Sequence, residues 1–238
     1  KGNEKLTEEF TAVYKAEWEV QGDMAGGKDL DARERYIGLK HYQWGTVRLG
    51  NIDSPLKNSE DSIDVFNDMA NLDMGNFLYG QNRMANLINY VSPKFLDVFG
   101  ANLTLQPGEA SPAALNENHI ADAISLALSY EDDSLYLSAA MDKEVVNVDA
   151  MRFLARYKIN DSITASAMFQ TAEPTFNPTG DKEESIAVSG SYVMGSVTAR
   201  GEVLLVNTSS NVAGDNDTML VGGGVDYNFT QSSKAFAN

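Results

Sequence analysis

Alternation with a period of two residues restricts this chain more than any other feature. In the run Phe10-Thr11-Ala12-Val13-Tyr14-Lys15-Ala16-Glu17-Trp18-Glu19-Val20 every even position is apolar, while the odd positions carry Thr11, Lys15, Glu17 and Glu19. Successive side chains of a strand point to opposite faces, so this run gives one apolar and one polar face over a length well beyond a typical strand of about five or six residues. Wound as a helix, it would scatter charge around the whole cylinder. The pattern recurs. Met151, Phe153, Ala155 and Tyr157 oppose Arg152 and Arg156; Ile163, Ala165, Ala167 and Phe169 oppose Thr164, Ser166 and Met168; Val197, Ala199, Val203 and Leu205 oppose Thr198, Arg200 and Glu202. The runs Ile186–Tyr192 and Met219–Phe229 repeat it.

Turn-forming clusters separate the runs: Gly26-Gly27, Glu131-Asp132-Asp133, Asn160-Asp161, Gly180-Asp181 and Gly214-Asp215-Asn216-Asp217. All six prolines fall between periodic segments or at their ends, as expected for a residue that cannot donate to a ladder. The reading is an all-β chain of about thirteen strands in a single domain, 1–238. Two segments are less definite. His119–Tyr130 fits a strand through Ile124, Leu126, Leu128 and Tyr130, or a helix through Ile120, Ile124 and Leu128; the strand is favoured because its neighbours are strands. A short helix is expected within Ser62–Leu72, where Ile63, Phe66 and Ala70 stand at helical spacing.

Composition narrows the function. There are 18 Lys+Arg against 34 Asp+Glu, a formal net charge of −16. Non-specific nucleic-acid binding needs a basic surface, so nucleic acid is excluded as a partner. Without cysteine there is no disulfide framework and no thiolate metal site, and two histidines, His41 and His119, cannot build a multi-histidine one. The acid clusters at 131–133 and 215–217 lack EF-hand spacing. No metal and no cofactor is expected. There is no Gly-x-Ser-x-Gly, and Gly222-Gly223-Gly224 lacks the lysine of a phosphate loop and sits inside a strand pattern. An enzyme is not indicated. No run approaches the roughly 18 apolar residues of a membrane-spanning helix. The mean hydropathy of −0.29 resembles that of a soluble protein. A barrel strand turns only every second residue to lipid, however, so its mean hydropathy stays low as well.

Alternation also fits a secreted or surface β-sandwich, such as an adhesin or lectin-like protein. Three features favour a transmembrane antiparallel β-barrel. The polar faces carry whole charges and hydroxyls through most of the chain. Aromatic residues stand near strand ends (Phe10, Trp18, Tyr90, Tyr130, Tyr157, Tyr192, Tyr227, Phe229), where interfacial girdles form. Short connections such as Asn160-Asp161 alternate with long ones, Gln106–Asn118 and Thr171–Glu183. A barrel esterase would need a serine with a histidine partner, for which only Asn118-His119 offers a place. A sugar-specific channel would need a stripe of inward aromatic residues, and the polar faces show mainly Ser, Thr, Asn and charge.

Specific stretches carry a family resemblance. Arg33-Glu34-Arg35-Tyr36-Ile37-Gly38-Leu39-Lys40 followed by Trp44-Gly45-Thr46-Val47-Arg48-Leu49-Gly50-Asn51, then Asp64-Val65-Phe66-Asn67-Asp68, and then Arg83-Met84-Ala85-Asn86-Leu87-Ile88-Asn89-Tyr90-Val91-Ser92-Pro93 resemble the strands around the third loop of general Gram-negative porins. Gly224-Val225-Asp226-Tyr227-Asn228-Phe229-Thr230 with Ser232-Ser233-Lys234 resembles their penultimate hairpin. The resemblance implies a sixteen-stranded, trimeric outer-membrane barrel, of which this chain would hold about thirteen strands, lacking two leading strands and one trailing strand. Its partners would be small hydrophilic solutes and ions, outer-membrane lipid and lipopolysaccharide. It also implies an inward-folded constriction loop, residues 53–82, whose acids Asp61, Asp64, Asp68 and Asp73 face the basic Arg33 and Arg83 on the wall. Glu17, Glu19, Lys15, Arg152 and Arg156 would line the rest of the pore. The acid excess implies weak cation preference, which Arg152 and Arg156 oppose locally. The family's Pro-Glu-Phe-Gly-Gly run is missing from the loop, so its geometry is not transferable.

Overall fold

The computed structural model describes residues 1–20, 30–60, 62–67, 69, 71–108, 121–212, 214–230 and 233–237. Among the described residues fourteen strands run in chain order: β1 (Gly2–Lys5), β2 (Phe10–Val20), β3 (Leu30–His41), β4 (Gly45–Asp53), β5 (Arg83–Val91), β6 (Phe99–Gln106), β7 (Ala123–Glu131), β8 (Leu135–Val145), β9 (Val148–Lys158), β10 (Ile163–Pro174), β11 (Lys182–Met194), β12 (Val197–Ser209), β13 (Asn216–Thr230) and β14 (Ser233–Ala237). Each pairs antiparallel with the next in one continuous sheet. The count exceeds the expected thirteen; β1 and β14, with four and five residues, are too short to show a period.

The segment expected as either strand or helix is a strand where it is described, β7, hydrogen-bonded to β6 and β8 along its length. Residues 119 and 120 lie outside the described residues. The described residues of Ser62–Leu72, where a short helix is expected, form turns, a bend and irregular backbone and no helix. Helical turns flank them instead. Helix α1 (Pro55–Asn58) starts where Ser54 Oγ accepts the Lys57 N–H and Pro55 opens the first turn, a favoured start signal. A 3-10 turn, Met74–Asn76, is capped by Asp73, which accepts the Gly75 N–H. Ile63 and Phe66 serve packing against the sheet rather than a helix face.

Because neighbours run antiparallel, the connections sort to two ends. At one end they are mostly short: 42–44, 132–134, 159–162 and 195–196, with 92–98 longer. At the other lie 54–82, 107–122, 175–181 and 210–215, together with one tight hairpin at Val146-Asn147. Both of those residues have positive φ, 52° and 60°, as a two-residue hairpin of matching twist requires. The expected long connection at Thr171–Glu183 is shorter, because β10 and β11 extend into it.

The burial is inside out for a soluble protein. Along β9, Arg152 is 0% exposed while its neighbour Phe153 is 48% exposed. Val188 of β11 is exposed beside buried Ser189, and Val225 of β13 beside buried Asp226. Tyr90, Phe99, Tyr130, Tyr157, Tyr192 and Tyr227 stand on this outward apolar face, all toward the end with the short connections. An apolar outer belt with an aromatic girdle and a polar interior suits hydrocarbon outside and water within.

The main buried cluster lies between the sheet and the long loop, not between two sheets. Ile63, Met74 and Leu78 of the loop pack on Leu154, Met168, Ala187, Leu204 and Leu220. The strand register sets those five wall residues in one row across β9 to β13. The loop reaches β7 at Ser125 through Leu56 and β13 at Gly222 and Gly224 through Phe66. A sheet that touches one loop from both directions is curled around it as a barrel wall.

Candidate functional site

The loop is pinned to the wall at two places. At its first turn, Leu56 N–H donates to Ser125 Oγ at 3.2 Å and Ser54 Oγ donates to Asp142 at 3.5 Å. Beneath it, Arg152 donates from Nε to Gln170 Oε1 at 2.8 Å, and from Nη1 to Leu56 O at 3.2 Å and Glu60 Oε2 at 3.3 Å. Gln170 donates in turn to Tyr79 O and to Glu183, which accepts the Tyr79 N–H. Burial pushes the Glu60 carboxyl above its ordinary value, and the Arg152 charge only partly offsets this. Arg152, expected on the pore wall, is therefore a buried anchor under the loop. The two-residue period gives the face a residue points to, but not what later covers it.

At its tip, the loop offers Val65 N–H to Glu202 Oε2 at 3.1 Å. Arg200 donates to Val65 O, pairs with Asp226 at 2.6 Å and lies 4.9 Å over the Phe66 ring. The ring itself sits on Gly222 and Gly224, where a Cβ would come within 2.8 Å of its carbons. Asp64 holds the loop's own shape: Oδ1 accepts the Phe66 N–H at 2.9 Å and Oδ2 accepts the Met74 N–H at 2.8 Å. Burial raises its carboxyl to about 6, helped by the Glu60 and Asp73 charges and opposed by the two N–H bonds.

Between the loop and the β3–β5 wall lies a cavity of about 450 Å³ lined by Arg33, Arg83, Lys57, Asp53, Glu60 and Asp73, among others. It brings together three residues singled out from sequence, Arg33, Arg83 and Asp73. Arg83 pairs with Asp53 at 2.8 Å, and Lys57 reaches the same carboxylate at 3.6 Å. Arg33 pairs with Glu19 at 3.2 Å and lies 3.8 Å from Glu17; Lys15 bridges Glu17 at 2.7 Å and Glu34 at 2.5 Å. Arg33 and Glu34 are consecutive, yet both meet inward partners. A register shift between Ala16 and Trp18 sets one residue of β2 against two of β3, a bulge that re-aims a side chain.

Acids and bases are therefore mixed on both sides rather than strictly opposed. The wall carries Asp53, Glu17 and Glu19 beside its arginines, and the loop carries Lys57 beside Glu60 and Asp73. Asp64 does not line this cavity, and Arg156 lines a second one nearer the short connections. Asp61 and Asp68 lie outside the described residues. Sequence reasoning missed Arg200, Glu202, Gln170 and Glu183 as receptors of the loop. A signal existed: Leu154, Met168, Leu204 and Leu220 are apolar residues at inward-phase positions of otherwise polar faces, and Gly222 and Gly224 are side-chain-free ones.

Comparison with known proteins agrees with this architecture. Residues 1–238 match the family model of the Gram-negative porins. The major outer membrane protein P.IB of Neisseria lactamica is 24% identical, the match covering 98% of this chain and 74% of that protein. Among solved structures, the anion-selective porin from Comamonas acidovorans superposes with a TM-score of 0.81 at 18% identity, over 98% of this chain and 74% of that one. OmpF of Salmonella typhi, in complex with daunomycin, gives 0.77 at 15% identity, over 99% and 78%. OmpT of Vibrio cholerae in its trimer form gives 0.72 at 16%, over 98% and 76%. At these identities the structures speak for the fold, and the family match speaks for the role: the chain belongs to the Gram-negative porins, β-barrel diffusion channels of the bacterial outer membrane.

Proposed function

We propose that ions and small hydrophilic solutes pass through the gap between the loop and the β3–β5 wall, with a weak preference for cations. Residues 53–82 act as the constriction, and the whole chain forms one channel domain. The carrying observation is the charged cavity between loop and wall, where Arg33, Arg83 and Lys57 meet Asp53, Glu60 and Asp73. These six balance. Glu17 and Glu19 beside Arg33, and Asp61 and Asp68 in the loop sequence, add acid without equal base. Charged side chains around a pore set ion preference through the local field. An anion-selective porin shares this fold, which supports placing selectivity in these side chains rather than in the barrel. A homotrimer embedded in outer-membrane lipid and lipopolysaccharide is the working assembly, in keeping with the trimer form of OmpT.

The test is the reversal potential of the full-length protein in a planar bilayer under a salt gradient. Low salt is preferred, because the screening length is about 10 Å at 0.1 M and shortens with concentration. A cation-signed potential that falls in Asp73→Asn supports the reading. An anion-signed potential in the unmodified protein overturns the preference.

A further inference from the structure

Nearer the short connections, the inner wall carries a regular polar grid that the constriction does not use. Lys158, Thr164, Ser191 and Arg200 form one cross-strand row over β9 to β12. Arg156, Ser166, Ser189 and Glu202 form the next. Beyond it comes the apolar row on which the loop sits. The four central hydroxyls, Thr164, Ser166, Ser189 and Ser191, floor a recess of about 460 Å³, with Ser62 and Asp64 of the loop on one side and the 132–134 turn at its mouth. That volume lies in the range of small-molecule sites, about 300–1,000 Å³.

Most of the charged side chains around this recess are already engaged. Lys158 pairs with Asp161 at 2.9 Å, Arg156 donates to Ser62 Oγ at 3.0 Å and lies 3.6 Å from Glu131, and Arg200 is held by Asp226 and Val65 O. Asp132 accepts the Tyr130 hydroxyl and the Ser134 and Leu135 N–H groups, and Asp64 accepts its two N–H groups within the loop. Hydroxyl capacity is what remains: Ser189 is 5% exposed, and its Oγ has no hydrogen-bond partner among the described residues. A buried hydroxyl without a partner is uncommon and needs an explanation. Short side chains on the floor and long arginines at the rim leave room for an occupant that brings its own hydroxyls. Adjacent floor positions are about 5 Å apart across strands and about 7 Å apart along them, the span of the hydroxyls around a six-membered sugar ring.

We propose that this recess is a weak binding site for an uncharged, monosaccharide-sized polyol on its way through the pore; this rests on the channel reading above. The hydroxyl floor donates and accepts with the solute, and the loop side keeps it close to the constriction.

Two readouts on the full-length protein keep the site and the channel reading apart. Saturation-transfer NMR of glucose with the detergent-folded protein reads binding whether or not the protein conducts, and single-channel current with added glucose reads occupancy of the pore. Saturable binding is expected, weakened about tenfold in the double variant Ser166→Ala/Ser189→Ala as two neutral hydrogen bonds are lost. Glucose-induced current noise should fall in parallel in the same variant, and triethylene glycol, of similar size without the ring of hydroxyls, should produce none. Both substitutions are small, and heat-shifted gel mobility verifies the fold. Unchanged binding in the double variant, or a conductance loss linear in glucose and matched by the glycol, overturns the site. Glucose binding without any conductance overturns the channel reading and leaves the site standing.

Discussion

The ring of Phe66 lies directly on the bare backbone of Gly222: a Cβ there would stand 2.8 Å from Phe66 Cε2, and at Gly224 the same distance from Cε1. Two inward-phase glycines of β13 thus form the seat that fixes the loop tip, with Arg200 closing over the ring. Between them Gly223 faces outward with nothing within 4 Å. Gly222→Ala is expected to unseat Phe66 at about 1–3 kcal/mol, the usual range for forced overpacking. Single-channel recording should show a changed and less steady conductance, while Gly223→Ala leaves the conductance unaltered.

Arg152 holds the other end of the loop. It is fully buried and balances Glu60 directly, with Asp142 and Glu183 close by. Removing one member of a buried pair leaves an uncompensated charge, at about 3–5 kcal/mol. Arg152→Ala should lower the temperature at which the folded band is lost in a heat-modifiability gel. Glu60→Gln, which leaves no excess acid behind, should lower it less.

The buried Asp64 carboxyl makes loop seating depend on pH. Its value in the folded chain, about 6, is above its ordinary 3.8, so the docked state holds a proton that the released state gives up. Linkage then gives the sign: docking is fully supported below about pH 4 and loses support as pH rises to about 6, then levels off. Glu60, also raised by burial, acts in the same direction. Brief current fluctuations should become more frequent between pH 4 and 6. Asp64→Asn should flatten that profile while losing one of the two backbone bonds.

Phe153 stands mid-strand on the outward face of β9, and Tyr157 stands near the strand end on the same face. In a lipid-facing wall, Phe153→Lys costs about 2–4 kcal/mol, whereas the same change near the interface costs about 0–1. Folding yields into lipid vesicles should therefore drop for Phe153→Lys and stay close to normal for Tyr157→Lys. An exposed surface in water would tolerate both equally.

Much of the wall was legible in the chain. The alternation around Arg152-Phe153 and around Asp226-Tyr227 names the outward residue of each pair, because strand geometry ties face to parity. Parity fails at Arg33-Glu34, where the bulge opposite Glu17 lets two consecutive residues meet inward partners. It also fails to predict the loop. The helical spacing of Ile63 and Phe66 has no helix behind it among the described residues; Ile63 packs on the apolar row of the wall, and Phe66 on Gly222 and Gly224.

By itself, the sequence determined the antiparallel sheet, the outward apolar belt with its aromatic girdle, and the presence of a long acidic loop before Arg83. Each depends on neighbours in the chain or on a period of two, both of which are local. Only the tertiary structure decided which inward residues face water and which lie beneath the loop. Leu154, Met168, Leu204 and Leu220 are far apart in the chain and become one docking stripe only when the register of five strands aligns them. The same alignment turns Arg152 from a pore charge into an anchor and gathers Arg33, Arg83 and Asp73 around one cavity. Register and closure couple residues across the whole chain, and no local pattern records them.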